Sequence, residues 1–338
     1  MRKNLPASER KPLTVSRMAI VLLPLLGLLI VASVLAISIG SVSIPFGNVL
    51  GALTGSENTP ETQQTIVMQI RLPRVLLGIL VGAGLSIAGV VLQALLRNPL
   101  AEPYILGISS GGTVGAIIAL SASLGVFGIS LSSFAGSALV MLLVYALAHR
   151  RGQLDTYTLL LAGVMIGAFF NAAILLIIAV FTQELRNAFL WLMGNLSTAR
   201  TESLIIVAPV ICVISLALLW NAKSFNLIAT GDETAMQLGV NVRSVKRISY
   251  LLASLLTGAV VSVSGVVGFV GLIIPHICRI LFGPDHRLLL PAAALLGAIF
   301  LVLTDTIART IIAPAEIPVG AVTAAIGAPL FVYLLRRG

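Results

Sequence analysis

Ten long apolar runs separated by short polar segments constrain the fold of this chain more than any other feature. A helix that crosses a bilayer needs about 20 predominantly apolar residues, and all but one of the runs are of about that length. Only 10% of the residues are charged, whereas soluble domains carry about 25%. We therefore predict an all-α polytopic membrane protein that forms a single transmembrane domain over residues 1–338. The ten predicted helices cover residues 18–39, 72–96, 104–124, 129–148, 156–181, 203–220, 247–267, 275–282, 288–310 and 318–335.

The basic residues indicate how these helices are oriented. Of the 21 Lys and Arg residues, 16 fall in segments that ten crossings place in the cytoplasm, and five fall outside. Cytoplasmic loops of membrane proteins are enriched in Lys and Arg. The sequence therefore predicts that both termini are cytoplasmic, with a basic tail at residues 1–17 and a large cytoplasmic loop at 221–246. This orientation signal accounts for the net charge of +9 without any binding of nucleic acid.

An internal repeat relates the second predicted helix to the seventh. Residues 80–99 and 256–275 are identical at nine of twenty positions, at a spacing of 176 residues. Because five crossings separate the two copies, they run in opposite directions through the bilayer. Inverted repeats of this kind are an architecture of transporters, in which two halves move about a central path. The sequence thus predicts transport, with helices 2–5 repeated in inverted orientation as helices 7–10.

The sequence offers little to drive such transport from within the chain. No lysine follows a glycine, so the ATP-binding P-loop motif is missing. Coupling to an ion gradient needs acidic groups inside the membrane, and only Asp305 qualifies, with Arg309 one turn away as a structural partner. The loop at 221–246 has two interpretations, a plain connector or a docking surface for a separate ATPase. Within it, Asp232 is predicted to cap a short helix that ends at Gly239.

Several motifs in this order resemble one family of transporters over nearly the whole chain. The chain resembles the permease subunit of the type II ABC importers for iron–siderophore complexes, haem or cobalamin, the FecCD-like permeases. The motifs that carry the resemblance are RLPR at 71–74, QALLRNPLAEPYILGISSG at 93–111, LAGV at 161–164, GDETAMQLGV at 231–240, GFVGLIIPHICR at 268–279, DHRLLLP at 285–291 and EIPVGAVTAAIGAPLFVYLLRR at 316–337. The resemblance implies ATP-driven import across the bacterial cytoplasmic (inner) membrane.

The resemblance also implies a set of partners. Two copies of this chain, or occasionally this chain and a second permease, would form the translocation path. Two cytoplasmic ATPase subunits would bind ATP and Mg²⁺, and an external binding protein would deliver the substrate. The chain itself would then have no enzyme activity, no cofactor and no metal site. The family's coupling helix, which fits a cleft in the ATPase, corresponds here to Gly231, Asp232, Glu233, Met236, Leu238 and Gly239.

At the outer face, three arginines match family positions that pair with acidic residues of the binding protein. These are Arg71, Arg74 and Arg309. Each of them taken alone is also compatible with anchoring to lipid headgroups. If they do pair with a partner, exposed ion pairs of this kind contribute about 0–1 kcal/mol each, so their expected effect is steering and register.

At the cytoplasmic face, the family's gate lies in the turn after the second helix and at the start of the fifth. The matching residues are Asn98, Leu100, Thr156 and Tyr157. Tyr157 departs from the family pattern, because a small polar residue is expected at its position. The fifth helix, with Asn171, is expected to line the path.

Two other classes of function stay open at this point. A secondary transporter driven by a proton or sodium gradient would need buried acids, and replacement of Asp305 by Asn would stop its transport. A membrane scaffold or sensor would not transport at all, and co-purification with an ATPase and a lipoprotein would argue against it. In the leading interpretation, the choice among chelates, haem and corrinoids is expected to reside in the binding protein.

Overall fold

A computed structural model describes residues 13–40, 42–56, 58–150, 153–180, 193–197 and 199–337. Within these ranges the chain is almost entirely helical, apart from a pair of two-residue antiparallel strands, β1 (His149–Arg150) and β2 (Gln153–Leu154). The helices are α1 (Val15–Ser38), α2 (Phe46–Thr54), α3 (Glu61–Thr65), α4 (Leu72–Leu96), α5 (Ile108–Ser121), α6 (Val126–Ala148), α7 (Thr156–Val180), α8 (Thr201–Trp220), α9 (Ala222–Thr230), α10 (Asp232–Gln237), α11 (Val242–Ser264), α12 (Val270–Phe282), α13 (His286–Ala308) and α14 (Val319–Arg337).

Seven helical segments in the described part of the chain are long and apolar enough to cross a membrane. They are α1, α6, α7, α8, α11, α13 and the continuous helix that joins α3 to α4 through a π-helical turn (Ile66–Arg71). Three shorter apolar helices, α5, α12 and α14, occupy the places of the third, eighth and tenth predicted helices. The all-helical membrane architecture is confirmed. The count of ten spans is not, because α12 at about 1.5 Å per residue is shorter than the hydrocarbon core of about 30 Å.

Helix α4 forms the centre of the molecule, and 20 of its 25 residues are buried. A side chain at Gly82 would overlap the Gly297 carbonyl of α13, and one at Gly89 would overlap the Gly271 carbonyl of α12. Glycines permit this close approach of helix backbones. In the most apolar stretch of the neighbouring spans α11 and α13, 67% of the residues are buried. The corresponding shares for α6, α7 and α8 are only 22, 17 and 22%. The chain therefore has three central helices, α4, α11 and α13, and a ring of peripheral ones.

The two short helices α5 and α12 each begin after an interruption of a long helix. Helix α4 ends at Arg97, which has a φ of +47°, and a 3₁₀ turn (Pro103–Leu106) then leads into α5. Helix α11 ends at Ser264 with Gly265 as its C-cap, and α12 begins after Phe269, which has a φ of +69°. The interruptions occur at corresponding places in the two predicted halves, and the inverted relation between those halves stays a prediction.

Two predicted helix boundaries are wrong around the second interruption. The seventh predicted helix was expected to run to residue 267, but α11 ends at Ser264. The eighth was expected to begin at Pro275, but α12 begins at Val270 and carries that proline in its interior. Proline lacks the N–H that would bond the Gly271 carbonyl, and the Gln93 side-chain amide donates to that carbonyl at 3.4 Å. The aligned repeat copies therefore diverge in structure in their second halves.

Candidate functional site

The segment that resembles a coupling helix folds as two short helices joined at a glycine. Helix α9 ends at Gly231, whose φ is +137°, and α10 ends before Gly239, whose φ is +86°. Asp232 is the first residue of α10 and Gly231 holds the cap position, so the prediction that Asp232 caps the helix is corrected by one residue. Ala235 is fully buried and packs in a small cluster with Ile228 and Val242.

The opposite face of α10 is exposed. Met236 is 52% and Leu238 61% accessible, and Glu233 is also exposed. The buried Ala235 thus packs the short helix against the rest of the chain. The side chains of Met236, Leu238 and Glu233 point away from the rest of the chain. An exposed apolar surface rimmed by polar groups is typical of a contact with another protein. The role of this segment as a coupling helix stays a prediction.

Asp232 does not belong to that exposed face. Its carboxylate forms an ion pair with Arg97 through Oδ1 and a second one, of 2.6 Å, with the Lys246 Nζ through Oδ2. Arg97 ends α4, and Lys246 lies in the first turns of α11. The side chain is therefore engaged inside the chain, by two cations from two different elements. We call these three residues the Asp232 cluster.

Helix α9 is fixed at its other side to the start of α13. The Asn226 side-chain amide donates to Asp285 at 2.8 Å, and its oxygen accepts the His286 N–H at 2.8 Å. Asp285 caps α13 and also accepts from Arg287. Hydrogen bonding by Arg287, followed by that of Asn226, lowers the pKa of Asp285 from its usual range to about 2. The carboxylate is therefore ionised at neutral pH, which suits an acceptor at a helix N-terminus.

The turn that resembles the cytoplasmic gate is held by hydrogen bonds. The Leu100 N–H donates to Asn98 Oδ1 at 2.9 Å, which makes an Asx-type turn. The Gln93 amide donates to the Ala101 carbonyl at 3.1 Å and holds the end of the turn to α4. Leu100 is 45% exposed. The turn therefore presents an apolar side chain on a hydrogen-bonded backbone, while its role as a gate stays a prediction.

The other two gate residues begin helix α7. Thr156 is the first residue of α7, and the Thr158 N–H in its first turn donates to Asp155 Oδ1 at 2.7 Å. Tyr157 is 74% exposed, so its bulky ring points away from the helices described here. Further along α7, Asn171 accepts a hydrogen bond of 2.8 Å from the buried Ser110 of α5. Asn171 itself is exposed, as a residue that lines a path would be, and that role also stays a prediction.

The meeting of the two helix interruptions is a feature that the sequence analysis missed. The Phe269 N–H donates to Glu102 Oε1 at 2.6 Å, and the Val267 N–H donates to the Tyr104 hydroxyl at 3.0 Å. Burial raises the pKa of Glu102 above its usual range, and the hydrogen bond from Phe269 opposes that shift. Glu102 thus satisfies a donor at the N-terminus of α12, as a cap does. The acid lies within the motif at 93–111, but only the fold shows what it binds.

The three outer arginines are buried, and their predicted exposure is wrong. Arg71, Arg74 and Arg309 are only 4, 7 and 6% accessible. The Arg71 guanidinium donates to the carbonyls of Ile37 and Ser38 at 2.6 and 2.9 Å, which lie at the end of α1. It thereby satisfies carbonyls that a helix end leaves without partners.

The other two arginines surround one buried acid. Arg74 Nε lies 2.9 Å from Asp305 Oδ2, and its Nη1 lies 2.9 Å from Glu316 Oε2. Arg309 donates to the Ala36 carbonyl, and its Nε is 3.9 Å from the Asp305 carboxylate. The expected pair between Asp305 and Arg309 is therefore secondary, because the closer partner of this acid is Arg74 on another helix. Pairing of these arginines with a binding protein would first need them to become accessible.

Comparisons with known proteins agree with this architecture. A family model described as the FecCD transport family matches residues 28–337. The chain is 47% identical over 278 residues to the cobalamin import system permease protein BtuC of Halobacterium salinarum, covering 82% of this chain and 75% of that one. It is 41% identical over 320 residues to the hemin transport system permease protein HmuU of Yersinia pestis, covering 93% and 94%.

A solved structure also matches nearly the whole fold. It is described as an inward-facing conformation of an ABC transporter of a proposed metal-chelate type. The match has a TM-score of 0.84 at 33% sequence identity, and it covers 94% of this chain and 99% of that one. The matched family model spans both interruptions, the central helices and the segment around α10. This chain therefore belongs to the FecCD transport family.

Proposed function

We propose that this chain is the permease subunit of an ATP-driven importer that carries an iron–siderophore complex, haem or cobalamin across the bacterial cytoplasmic membrane. Membership of the FecCD transport family supports a transport role. The names of relatives at 41 and 47% identity, a hemin and a cobalamin permease, support this class of cargo. In this proposal two ATPase subunits bind ATP and Mg²⁺ on the cytoplasmic side, and both termini of the chain lie there too.

The observation that carries the proposal is the exposed face of α10. Met236 in α10 and Leu238 directly after it are more than half exposed, while the other face of the helix is held by the buried Ala235. These two apolar side chains, held in place by the buried side of the helix, suit insertion into a cleft of another protein. The buried core of a protein interface is apolar and poor in charge. The predicted cytoplasmic position of residues 221–246 puts these two side chains on the side of the membrane where ATP is available.

We also propose that the path forms between two copies of the chain. Helix α7 carries large exposed apolar side chains, among them Phe169, Leu175 and Leu176 at 69, 69 and 68%. Asn171 adds a polar group on the same helix. A second copy would cover part of this apolar surface, and lipid would cover the rest. Symmetric pairing of identical surfaces is the commonest form of dimer.

At the outer face we propose docking of a substrate-binding protein above the buried arginines. Arg71, Arg74 and Arg309 carry three positive charges against the two negative charges of Asp305 and Glu316, which leaves one positive charge. Such a surplus would attract an acidic partner from a distance. In this proposal the arginines contribute to steering first, and to direct pairing only if the outer end opens.

Reconstituted uptake tests the proposal. The chain is placed in liposomes with its ATPase and its binding protein, and uptake of ferric siderophores, haem and cobalamin is measured with and without ATP. ATP-dependent uptake of one of them is expected. No ATP-dependent uptake of any of the three would contradict the proposal.

Variants of α10 test its coupling role separately. Glu233→Arg places a reversed charge on the exposed face, and Met236→Pro breaks the short helix, so both should uncouple ATP hydrolysis from uptake. Membrane insertion of both variants should stay at the parent level. Trp220→Ala is the matched control, because it removes a 90% exposed apolar side chain at the end of α8. Normal uptake in both α10 variants would indicate that this segment is a plain connector.

The gradient-driven alternative has little support in the described residues. Asp305, the acid it would use, is held by Arg74 at 2.9 Å. Both oxygens of its carboxylate accept hydrogen bonds from Arg74, so the side chain is engaged in a structural ion pair. Asp305→Asn should therefore destabilise the protein, whereas in a gradient-driven carrier it would stop transport.

A further inference from the structure

The Asp232 cluster joins three elements that are far apart in the sequence. One carboxylate oxygen of Asp232 pairs with Arg97 at the end of α4, and the other pairs with the Lys246 Nζ of α11 at 2.6 Å. The residues are separated by 135 and 14 positions along the chain. Because each oxygen has its own cation, either bond can be removed while the other stays.

Arg97 stands at the point where α4 passes into the gate-like turn. It has a φ of +47°, a left-handed conformation that residues with a side chain seldom adopt. The next residue, Asn98, is bonded to Gln93 by its N–H and to Leu100 by its side chain. The turn is also bonded at its far end, where the Ala101 N–H donates to the Asn98 carbonyl at 3.1 Å. A displacement of the Arg97 side chain would therefore be passed to the turn as a whole.

Lys246 is the second cation of the cluster and the more buried of the two. Its side chain is only 12% exposed, against 44% for Arg97 and 38% for Asp232. It belongs to α11, one of the three central helices. Together with the small apolar cluster around Ala235, these two ion pairs hold α10 against the rest of the chain.

We propose that Asp232 is a positioning residue that ties α10 to the gate-like turn at Arg97 and to the base of α11. The sequence resemblance grouped Asp232 with residues that contact the ATPase, but its carboxylate turns toward its own chain. If a partner displaced α10 at its exposed face, the Asp232–Arg97 ion pair would transmit that displacement to the turn. The inference rests on the proposed function for its consequence in transport, although the link itself can be measured in the permease alone.

Distances within the isolated permease test the link directly. Spin labels replace Leu100 and Leu238, both exposed, in a background in which the exposed Cys212 is changed to Ala. The parent should give a narrow distance distribution, whereas Asp232→Asn and Arg97→Gln should broaden it. A distribution that stays narrow in both variants would overturn the link. This result does not depend on any ATPase, so it is separate from the fate of the proposed function.

Coupling in the full complex tests the consequence. We expect Asp232→Asn and Arg97→Gln each to raise the number of ATP molecules hydrolysed per substrate carried by about threefold, the size of effect that an exposed ion pair can have. The double variant should be no worse than Asp232→Asn alone, because that variant already lacks the bond that Arg97→Gln removes. The affinity for the ATPase should stay at the parent value.

A matched control comes from a second cytoplasmic pair. Arg287 and Asp285 have side-chain exposures of 42 and 32%, close to those of Arg97 and Asp232. Arg287→Gln should leave both the spin-label distances and the coupling ratio unchanged. Additive effects of the two single variants, or loss of ATPase affinity in Asp232→Asn alone, would overturn the proposal and assign Asp232 to the ATPase contact.

Discussion

At the scale of single residues, the end of the molecule that carries Arg74 and Asp305 is organised by the pairing of buried charges. Arg74 and Asp305 lie on different helices and form a pair with 8 and 5% side-chain exposure. Burying a charge is costly unless a partner is present, so the two residues depend on each other. Arg71 meets the same demand in another way, by donating to carbonyls at the end of α1.

Removing one member of this pair should be strongly destabilising. Breaking a buried ion pair costs about 3–5 kcal/mol because it leaves an uncompensated charge. We expect Asp305→Asn or Arg74→Met to lower the thermal unfolding temperature markedly, and the double variant Arg74→Met with Asp305→Leu to lose less than the sum. Thermal unfolding in detergent measures this. Glu316→Gln, which removes the 43% exposed partner, should change little, and a large loss there would contradict the assignment.

A second residue-level prediction concerns acid. The pKa of Asp285 in the folded chain is about 2, below the value of about 3.9 for an unperturbed aspartate. Its contribution to stability is therefore complete above about pH 4 and is lost as the pH falls from there toward about 2. Asp285→Asn should remove this pH dependence, which unfolding temperatures between pH 2 and 5 would reveal. An identical pH profile in the variant and the parent would contradict it.

At the scale of elements, glycine contacts decide how the central helices pack. The backbones of α4 and α12 meet at Gly89 and Gly271, and those of α4 and α13 meet at Gly82 and Gly297. Such contacts exist only if neither residue has a side chain. Dispersion and packing drive association inside a bilayer, where the surrounding lipid is as apolar as leucine. These glycines therefore set the spacing between α4 and its neighbours α12 and α13.

Gly89→Val should prevent correct assembly of the central helices. The new side chain would overlap the Gly271 carbonyl, which belongs to backbone and cannot rotate away. Overpacking costs about 1–3 kcal/mol even in adaptable cores, and this site has little room to adapt. Gly27→Val is the matched control, since nothing lies within 4 Å of the side chain it would add. Monodisperse yield after purification should fall sharply for the first variant only, and equal yields would refute the packing argument.

At the scale of the whole molecule, the central helices join the two ends that carry the candidate sites. One end carries α10, the Asp232 cluster and the gate-like turn, and the other carries the buried arginine cluster. Helices α4 and α13 run between them and contact each other extensively. The N-terminal segment joins the first end, because Arg17 donates to the Phe282 carbonyl at 3.1 Å. This contact agrees with the predicted cytoplasmic position of both the tail and the end of α12.

Reporter fusions test this orientation. A fluorescent protein that folds only in the cytoplasm should be bright when fused after residue 338 or before residue 1, and dark when inserted near Gly55 in the outer segment. Whole-cell fluorescence at equal expression measures this, and Western blots control for the amount of each fusion. A dark fusion at either terminus would refute the orientation and, with it, the cytoplasmic position of α10.

The apolar runs by themselves determined the class of fold, because apolar stretches of this length can satisfy their backbone groups in a bilayer only as helices. The polar turn that follows also indicated the end of α4 at Leu96, and Gly239 indicated where the short helix α10 stops. Only the tertiary structure decided that Arg74 pairs with Asp305 across 231 residues and that Asp232 faces Arg97. A sequence states which residues are charged, but the partner of each charge depends on which helix ends the packing brings together. The exposure of the outer arginines was mispredicted for the same reason.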